Sequence, residues 1–249
     1  SGLPFEALDV FQSSNVVARE LSVHMMANRV QLCAESPKVD LKMTKYLVDP
    51  MYEDTEKTSR DPGRQTRPLC EEFTANFLPK YGPAWAGAIG SVSQKVGEGE
   101  ASHLFVNPNT MLFLGLHRFL AYVPPRIVSR MNLRTCRLAL VMDQISNESS
   151  SRRQSYLNHR KSNMERSLEE PFEASALLLM RGVSCVIMTS LPTVVDSNLD
   201  FLSEVLSGLQ GGAQVGQAVR SAATSCVGSD ALPYAEYVPV TYGLPNLTT

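Results

Sequence analysis

Two short apolar runs limit what this chain can become, Met111-Leu-Phe-Leu-Gly-Leu-His117 and Cys136-Arg-Leu-Ala-Leu-Val-Met-Asp-Gln144. Each is dominated by aliphatic and aromatic side chains and ends in polar residues. A strand with one solvated face would alternate apolar and polar positions. Apolar runs of this length, bounded by turn-formers, read instead as strands buried on both faces of a parallel sheet. In open α/β sheets chemistry gathers beyond the carboxyl ends of the strands. One run therefore delivers His117 to that edge, and the later one delivers Asp143 and Gln144.

Along the chain, strand and helix patterns alternate. Residues 16–30 suit a strand followed by a helix, and 41–48 alternate roughly at period two up to Asp49-Pro50. Leu69, Phe73, Phe77 and Leu78 have helical spacing within 68–78, with Pro79 and then Gly82-Pro83 expected to stop that helix. A short strand is expected at 85–90 and a helix within 91–105. Later come a helix at 174–180, a strand at 183–189, a helix at 197–209 with Leu199, Leu202, Val205 and Leu206 on one face, and a helix at 215–223. The polar tracts 52–67 and 145–168 read as surface loops. This pattern predicts an α/β fold in which the strands ending at His117, Gln144 and Thr189 are neighbours in one parallel sheet. Right-handed crossovers would place helices on both faces. The expected organisation is a domain at 1–226 and a strand-bearing tail at 227–249.

Composition narrows the function classes. With 249 residues, a formal net charge of −2 and no long basic block, the chain gives no electrostatic case for nucleic acid or an anionic membrane. No apolar run approaches the ~20 residues needed to span a bilayer. The opening Ser1-Gly-Leu-Pro lacks a charged, then apolar, leader, and the missing initiator Met suggests a piece of a longer chain. The five cysteines are scattered without a CxxC pair, which predicts reduced, buried thiols in a cytosolic compartment. His24, His103 and His159 have no metal-site spacing, and Gly211-Gly212 is a helix stop rather than a phosphate loop. No cofactor and no metal are expected.

Several ordered segments carry a family resemblance. Leu3-Pro-Phe-Glu-Ala-Leu8 resembles the opening segment of CHAT domains and of separases, and Val17-Ala-Arg19-Glu-Leu-Ser22 the Arg-x-x-Ser step that follows there. Tyr46-Leu-Val-Asp49-Pro50 and Trp85-Ala-Gly87 are similar to later separase segments. Leu114-Gly-Leu-His117 falls where that family has its catalytic histidine, and Val141-Met-Asp-Gln144 where it has its catalytic cysteine. Residues 176–192, with Asp196 and Phe201 beyond, resemble the segment that closes the domain. The chain thus resembles the caspase-like CHAT and separase peptidases over nearly its whole length, which implies a caspase-like fold with a largely parallel central sheet.

Three positions depart from that family at the site itself. Gln144 stands for the cysteine, Arg118 for the glycine after the histidine, and Asp143 for a small residue. An amide is neither nucleophile nor base, so the resemblance implies a degenerate dyad at His117 and Gln144 and no enzyme activity. The segments FLGLHRFL, CRLALVMDQ and SRRQSYLNHRKS are similar to the carboxyl-terminal region of large tetratricopeptide-repeat proteins of the ciliary axoneme. That likeness implies a structural role in the central apparatus of the cilium or flagellum, within the cytoskeleton. Its partners would be other central-apparatus proteins in a large complex, with no nucleic acid and no membrane. Near-neutral charge also speaks against direct electrostatic attachment to acidic tubulin tails.

Plainer readings stand beside these. His117 can be a satisfied sheet-edge histidine, and Gln144 a structural amide bonded to loop backbone. Ser149 to Ser151 with Arg152-Arg153 read as a solvated loop before a phosphosite cluster. Cys136 begins its strand, roughly 25 Å from position 144 at ~3.3 Å per residue, so it cannot replace the missing thiol. Cys185 is expected to be buried and inert. The alternative functions are an active peptidase with an unpredicted nucleophile, or a peptide-binding module that kept the groove. A thiol or hydroxyl beside His117 would favour the enzyme, and an Arg118 side chain filling the groove would argue against it.

Overall fold

The apolar runs are adjacent strands of one sheet in the computed structural model, which describes residues 16–34, 38–52, 69–91, 93–143, 145, 155, 156, 158–225 and 239–249. In the first half, helix α1 (Val23–Ala34) precedes strand β1 (Thr44–Val48), and helix α2 (Leu69–Glu72) runs through a π-helical stretch (Phe73–Phe77) into α3 (Leu78–Tyr81). Strand β2 (Ala86–Ile89), helix α4 (Glu98–Leu104), strand β3 (Thr110–Leu114) and helices α5 (Phe119–Tyr122) and α6 (Pro125–Val128) follow. Strand β4 (Leu138–Met142), helices α7 (Asn163–Leu168) and α8 (Pro171–Met180) and strand β5 (Cys185–Thr189) come next. Helices α9 (Val195–Gln210) and α10 (Val215–Ser225) and strand β6 (Pro239–Gly243) close the fold.

The six strands lie in the order β2-β1-β3-β4-β5-β6. Neighbours from β2 to β5 are parallel, and β6 alone runs antiparallel, against β5. Leu114 is in register with Met142 and Val141 with Met188, so the strands leading to His117, Asp143 and Thr189 are neighbours, as the sequence predicts.

Why the runs lack alternation is visible in the packing. One face presents Tyr46, Val48, Leu112, Leu114, Leu140 and Ile187 to a cluster completed by α2, α3, α9 and α10. The opposite face presents Leu47, Met111, Phe113, Val141, Val186 and Met188 to α4, α5, α6 and α8. Strands β3, β4 and β5 are buried at every residue. Both parities must then be apolar, because each covers its own layer of helices. On α9, Leu199, Leu202, Val205 and Leu206 are buried, as their spacing predicts.

Some expected boundaries need correction. Pro79 does not stop its helix, which continues to Tyr81. The π-helical stretch just upstream explains this, with the Leu78 N–H donating to the Phe73 carbonyl one residue further back than in an α-helix. The wider turn makes room for the pyrrolidine ring, which would otherwise clash with a carbonyl of the preceding turn. Residues 41–43 are a 3₁₀ turn and not strand, capped by the Asp40 side chain accepting from the Lys42 N–H. The polar tract 145–168 contains α7, started by a reciprocal capping box between Ser162 and Glu165. Before α1, the expected strand reduces to one parallel bridge between Arg19 and Tyr242. Residues 53–67 and 146–154 lie outside the described residues. Among the described residues no helix is long and apolar enough to cross a membrane.

Candidate functional site at the carboxyl edge of the sheet

Hydrogen bonding continues past the strand ends and carries the candidate residues together. The Gly115 N–H donates to the Met142 carbonyl (3.0 Å) and the Ile145 N–H to the Gly115 carbonyl (3.0 Å). The turn bearing His117 and Arg118 therefore lies against the turn bearing Asp143. Ile145 bridges on to Thr193, beyond β5, which closes the edge from the third side.

Within this pocket of backbone, Arg118 and Asp143 form a buried ion pair. Arg118 is 8% exposed and Asp143 0%. The guanidinium Nη1 donates to Asp143 Oδ1 at 2.8 Å and to the Thr189 carbonyl at 3.1 Å, while Nη2 reaches the Ser190 carbonyl at 3.4 Å. The other carboxylate oxygen accepts the Phe119 N–H at 2.9 Å. Thr189 completes the shell, its hydroxyl donating to the Asp143 carbonyl (3.0 Å) and lying 3.3 Å from Oδ1. Burial pushes the Asp143 carboxyl above its ordinary range, and the Arg118 charge, the Phe119 amide and the Thr189 hydroxyl pull it back. Such a pair is stable only because nearly every donor and acceptor is satisfied.

His117 is half-buried, in the turn after β3. Gln144 lies outside the described residues. The arrangement answers the question posed by Arg118. Its side chain turns inward over the carboxyl ends of β4 and β5 and spends its donors on Asp143 and on two carbonyls. The backbone there is thus held by an internal cation. The sequence pointed to Arg118 and Asp143 as separate departures and missed that they are partners. It also missed Thr189, although a third strand ending in a polar residue at the same edge was a readable signal.

No reactive thiol stands at the site among the described residues. Cys33, Cys70, Cys136 and Cys185 are free and buried. Cys136 precedes β4, at the far end of the sheet as its spacing predicts, and Cys185 opens β5 at the same end and is buried, as expected. Burial pushes the Cys136 thiol up to about 12 and raises Cys185 as well. Since the thiolate is the reactive form, iodoacetamide at neutral pH should leave Cys136 and Cys185 unmodified in the native protein and alkylate them after unfolding. Mass spectrometry of labelled peptides checks this, and rapid native labelling of Cys136 would contradict it. Among the described residues no group of three or more His, Cys, Asp or Glu is arranged to hold a metal.

The fold is caspase-like, a largely parallel central sheet covered by helices on both faces. Two crystal structures of the Saccharomyces cerevisiae separase–securin complex align with 98% of this chain at a TM-score of 0.63. The chain covers 14% and 15% of those chains, at 15% and 14% identity, so the likeness is one of fold. In sequence the chain is 30% identical over 212 residues to Cilia- and flagella-associated protein 46 of Chlamydomonas reinhardtii. That alignment includes 79% of this chain but spans only 8% of the curated relative. No family model matches the chain.

Proposed function

We propose that this chain is a non-catalytic, caspase-like domain, a pseudo-peptidase of CHAT or separase type, serving as a structural and partner-binding element of the axonemal central apparatus. The observation that carries the non-catalytic part is the Arg118–Asp143 pair. It occupies the strand ends where a caspase-like peptidase needs a nucleophile, an imidazole and free backbone donors for an oxyanion. The residue at the cysteine position is Gln144, which has no nucleophile to offer. The likeness to a cilia- and flagella-associated protein supports the ciliary placement, with other axonemal proteins as partners. A rigid sheet with polar segments at its edges suits docking, since loops on a rigid scaffold commonly carry binding.

The unmodified domain should give no multiple-turnover cleavage of peptide libraries and no labelling by thiol-directed peptidase probes. Gln144→Cys alone should stay inactive, because Arg118 still holds the neighbouring backbone. Turnover that disappears with His117→Ala would overturn the non-catalytic reading. For the placement, mass spectrometry and imaging of purified axonemes are the direct measurements. A soluble, partnerless chain in non-ciliated cells would sink it.

A further inference from the structure

At the opposite end of the sheet cationic side chains gather. The amino-terminal edge carries Lys42 in the turn before β1, Lys45 in β1, Arg130 and Arg134 in the approach to β4, and Arg181 in the approach to β5. The connections between these segments are tied into one ridge. Lys45 Nζ donates to the Val106 carbonyl at 2.6 Å, Asn132 Nδ2 to Asn107 Oδ1 at 3.2 Å, and Arg181 Nη2 to the Met131 carbonyl at 2.8 Å. Gly182 packs against the Arg134 backbone so closely that an added Cβ would lie 3.0 Å from the Arg134 Cα.

Two carboxylates near this edge already have partners. Asp40 accepts the Lys42 N–H as a cap, and Glu20 is paired with Arg29 at 3.2 Å. Lys42, Arg130 and Arg134 are exposed and form no ion pair among the described residues. Between the cations stand aliphatic side chains left in solvent: Met43 at 57%, Val106 at 48% and Met180 at 60% exposed. A chain of net charge −2 therefore gathers a cationic row with apolar knobs along a single edge.

We propose that this amino-terminal edge is a docking surface for an acidic protein segment in which glutamates or aspartates alternate with apolar side chains. From β1 through β3 and β4 to β5 the row crosses three inter-strand steps, roughly 14 Å at ~4.8 Å each, the reach of four or five extended residues. Charge complementarity orients such a segment, and the aliphatic knobs supply area to bury. Nucleic acid is the poorer fit, because single strands need exposed aromatics for base stacking. The exposed aromatics Tyr156 and Phe172 belong to the segment that follows the carboxyl end of β4. The surface is independent of the ion pair at the other edge, so the two readings fail separately.

The test is titration of this 249-residue chain into a fluorescein-labelled peptide of glutamates interrupted by leucines, read by anisotropy at low ionic strength. Binding should weaken as salt approaches the ~0.15 M at which the Debye length falls to about 8 Å. Lys42→Glu, Arg130→Glu and Arg134→Glu together should weaken it by roughly tenfold or more, by loss and reversal of the complementary charge. Met43→Ser with Met180→Ser should also weaken it, and Lys95→Glu, outside the row, should leave it unchanged. If the triple reversal melts early, the corresponding glutamine variants give the same reading without the added repulsion. The proposal is overturned if the unaltered chain fails to bind the peptide at low salt, or if the row variants bind normally. Loss in Lys95→Glu equal to that in the row variants, or tighter binding of duplex RNA or phosphatidylserine vesicles at the same edge, would overturn it too.

Discussion

Replacing Asp143 with alanine is expected to destabilise the domain by about 3–5 kcal/mol, the usual cost of leaving one member of a buried ion pair without its partner. In a domain of this size that corresponds to a fall in melting temperature of roughly 10 °C. The mechanism is specific. The Arg118 guanidinium stays buried with only the Thr189 and Ser190 carbonyls to accept from it, and the Phe119 N–H loses its acceptor. Arg118→Met combined with Asp143→Leu should recover most of the loss, because removing both charges removes the desolvation cost along with the attraction. A double variant as unstable as Asp143→Ala alone would show that the pair is not the source of the effect.

The pH dependence of the single Arg118→Met variant follows from the same geometry. Asp143 already has a raised folded-state pKa, and losing the Arg118 charge raises it further. A group raised on folding contributes stability that is fully present below its unfolded pKa and lost as pH rises through its folded pKa. The stability gap between wild type and Arg118→Met should therefore be smaller at mildly acidic pH than at neutral pH. Thermal melts across that window measure it, and a gap that widens on acidification would count against this account.

The second large effect is expected at Arg29, which is 4% exposed on α1. Its Nε and Nη2 grip both oxygens of Glu20 at 3.2 Å, while Nη1 donates to the Leu179 carbonyl at 3.2 Å and the Val183 carbonyl at 2.6 Å. One side chain thus pins α1 to the end of α8 and to the approach to β5. Arg29→Ala should cost about 3–5 kcal/mol, since it leaves the Glu20 carboxylate with the Leu21 N–H alone and takes the guanidinium from the Val183 carbonyl. Arg29→Lys should restore only part, because an ammonium cannot reproduce the planar fork. Urea unfolding of the three proteins gives the comparison, and an Arg29→Ala midpoint equal to wild type would refute the pinning role.

These two ion pairs mark the limit of what can be read along the chain. The central strands were legible because burial on both faces disfavours polar residues at either parity, and the stretches 111–114, 138–142 and 185–188 obey that rule locally. Helix α9 was legible for a related reason, since one covered stripe imposes its own spacing. The strand ends, and hence the edge where His117, Arg118 and Asp143 meet, followed from parallel order alone. Pro79 misled because its clash is relieved by a π turn upstream, which depends on packing of Phe73 and Phe77 rather than on the proline itself.

By itself, then, the sequence determined the buried parallel sheet and its helical covering. Those properties are local, written in side-chain type and spacing. Tertiary structure decided what distant charges do. Arg118 and Asp143 meet only because β3 and β4 are adjacent, and Arg29 finds carbonyls 150 and 154 residues away. Lys42, Arg130, Arg134 and Arg181 line one edge only because the strands they introduce start on the same side of the sheet. Coulomb energy depends on separation in space and on burial, and neither is encoded in net charge or in position along the chain.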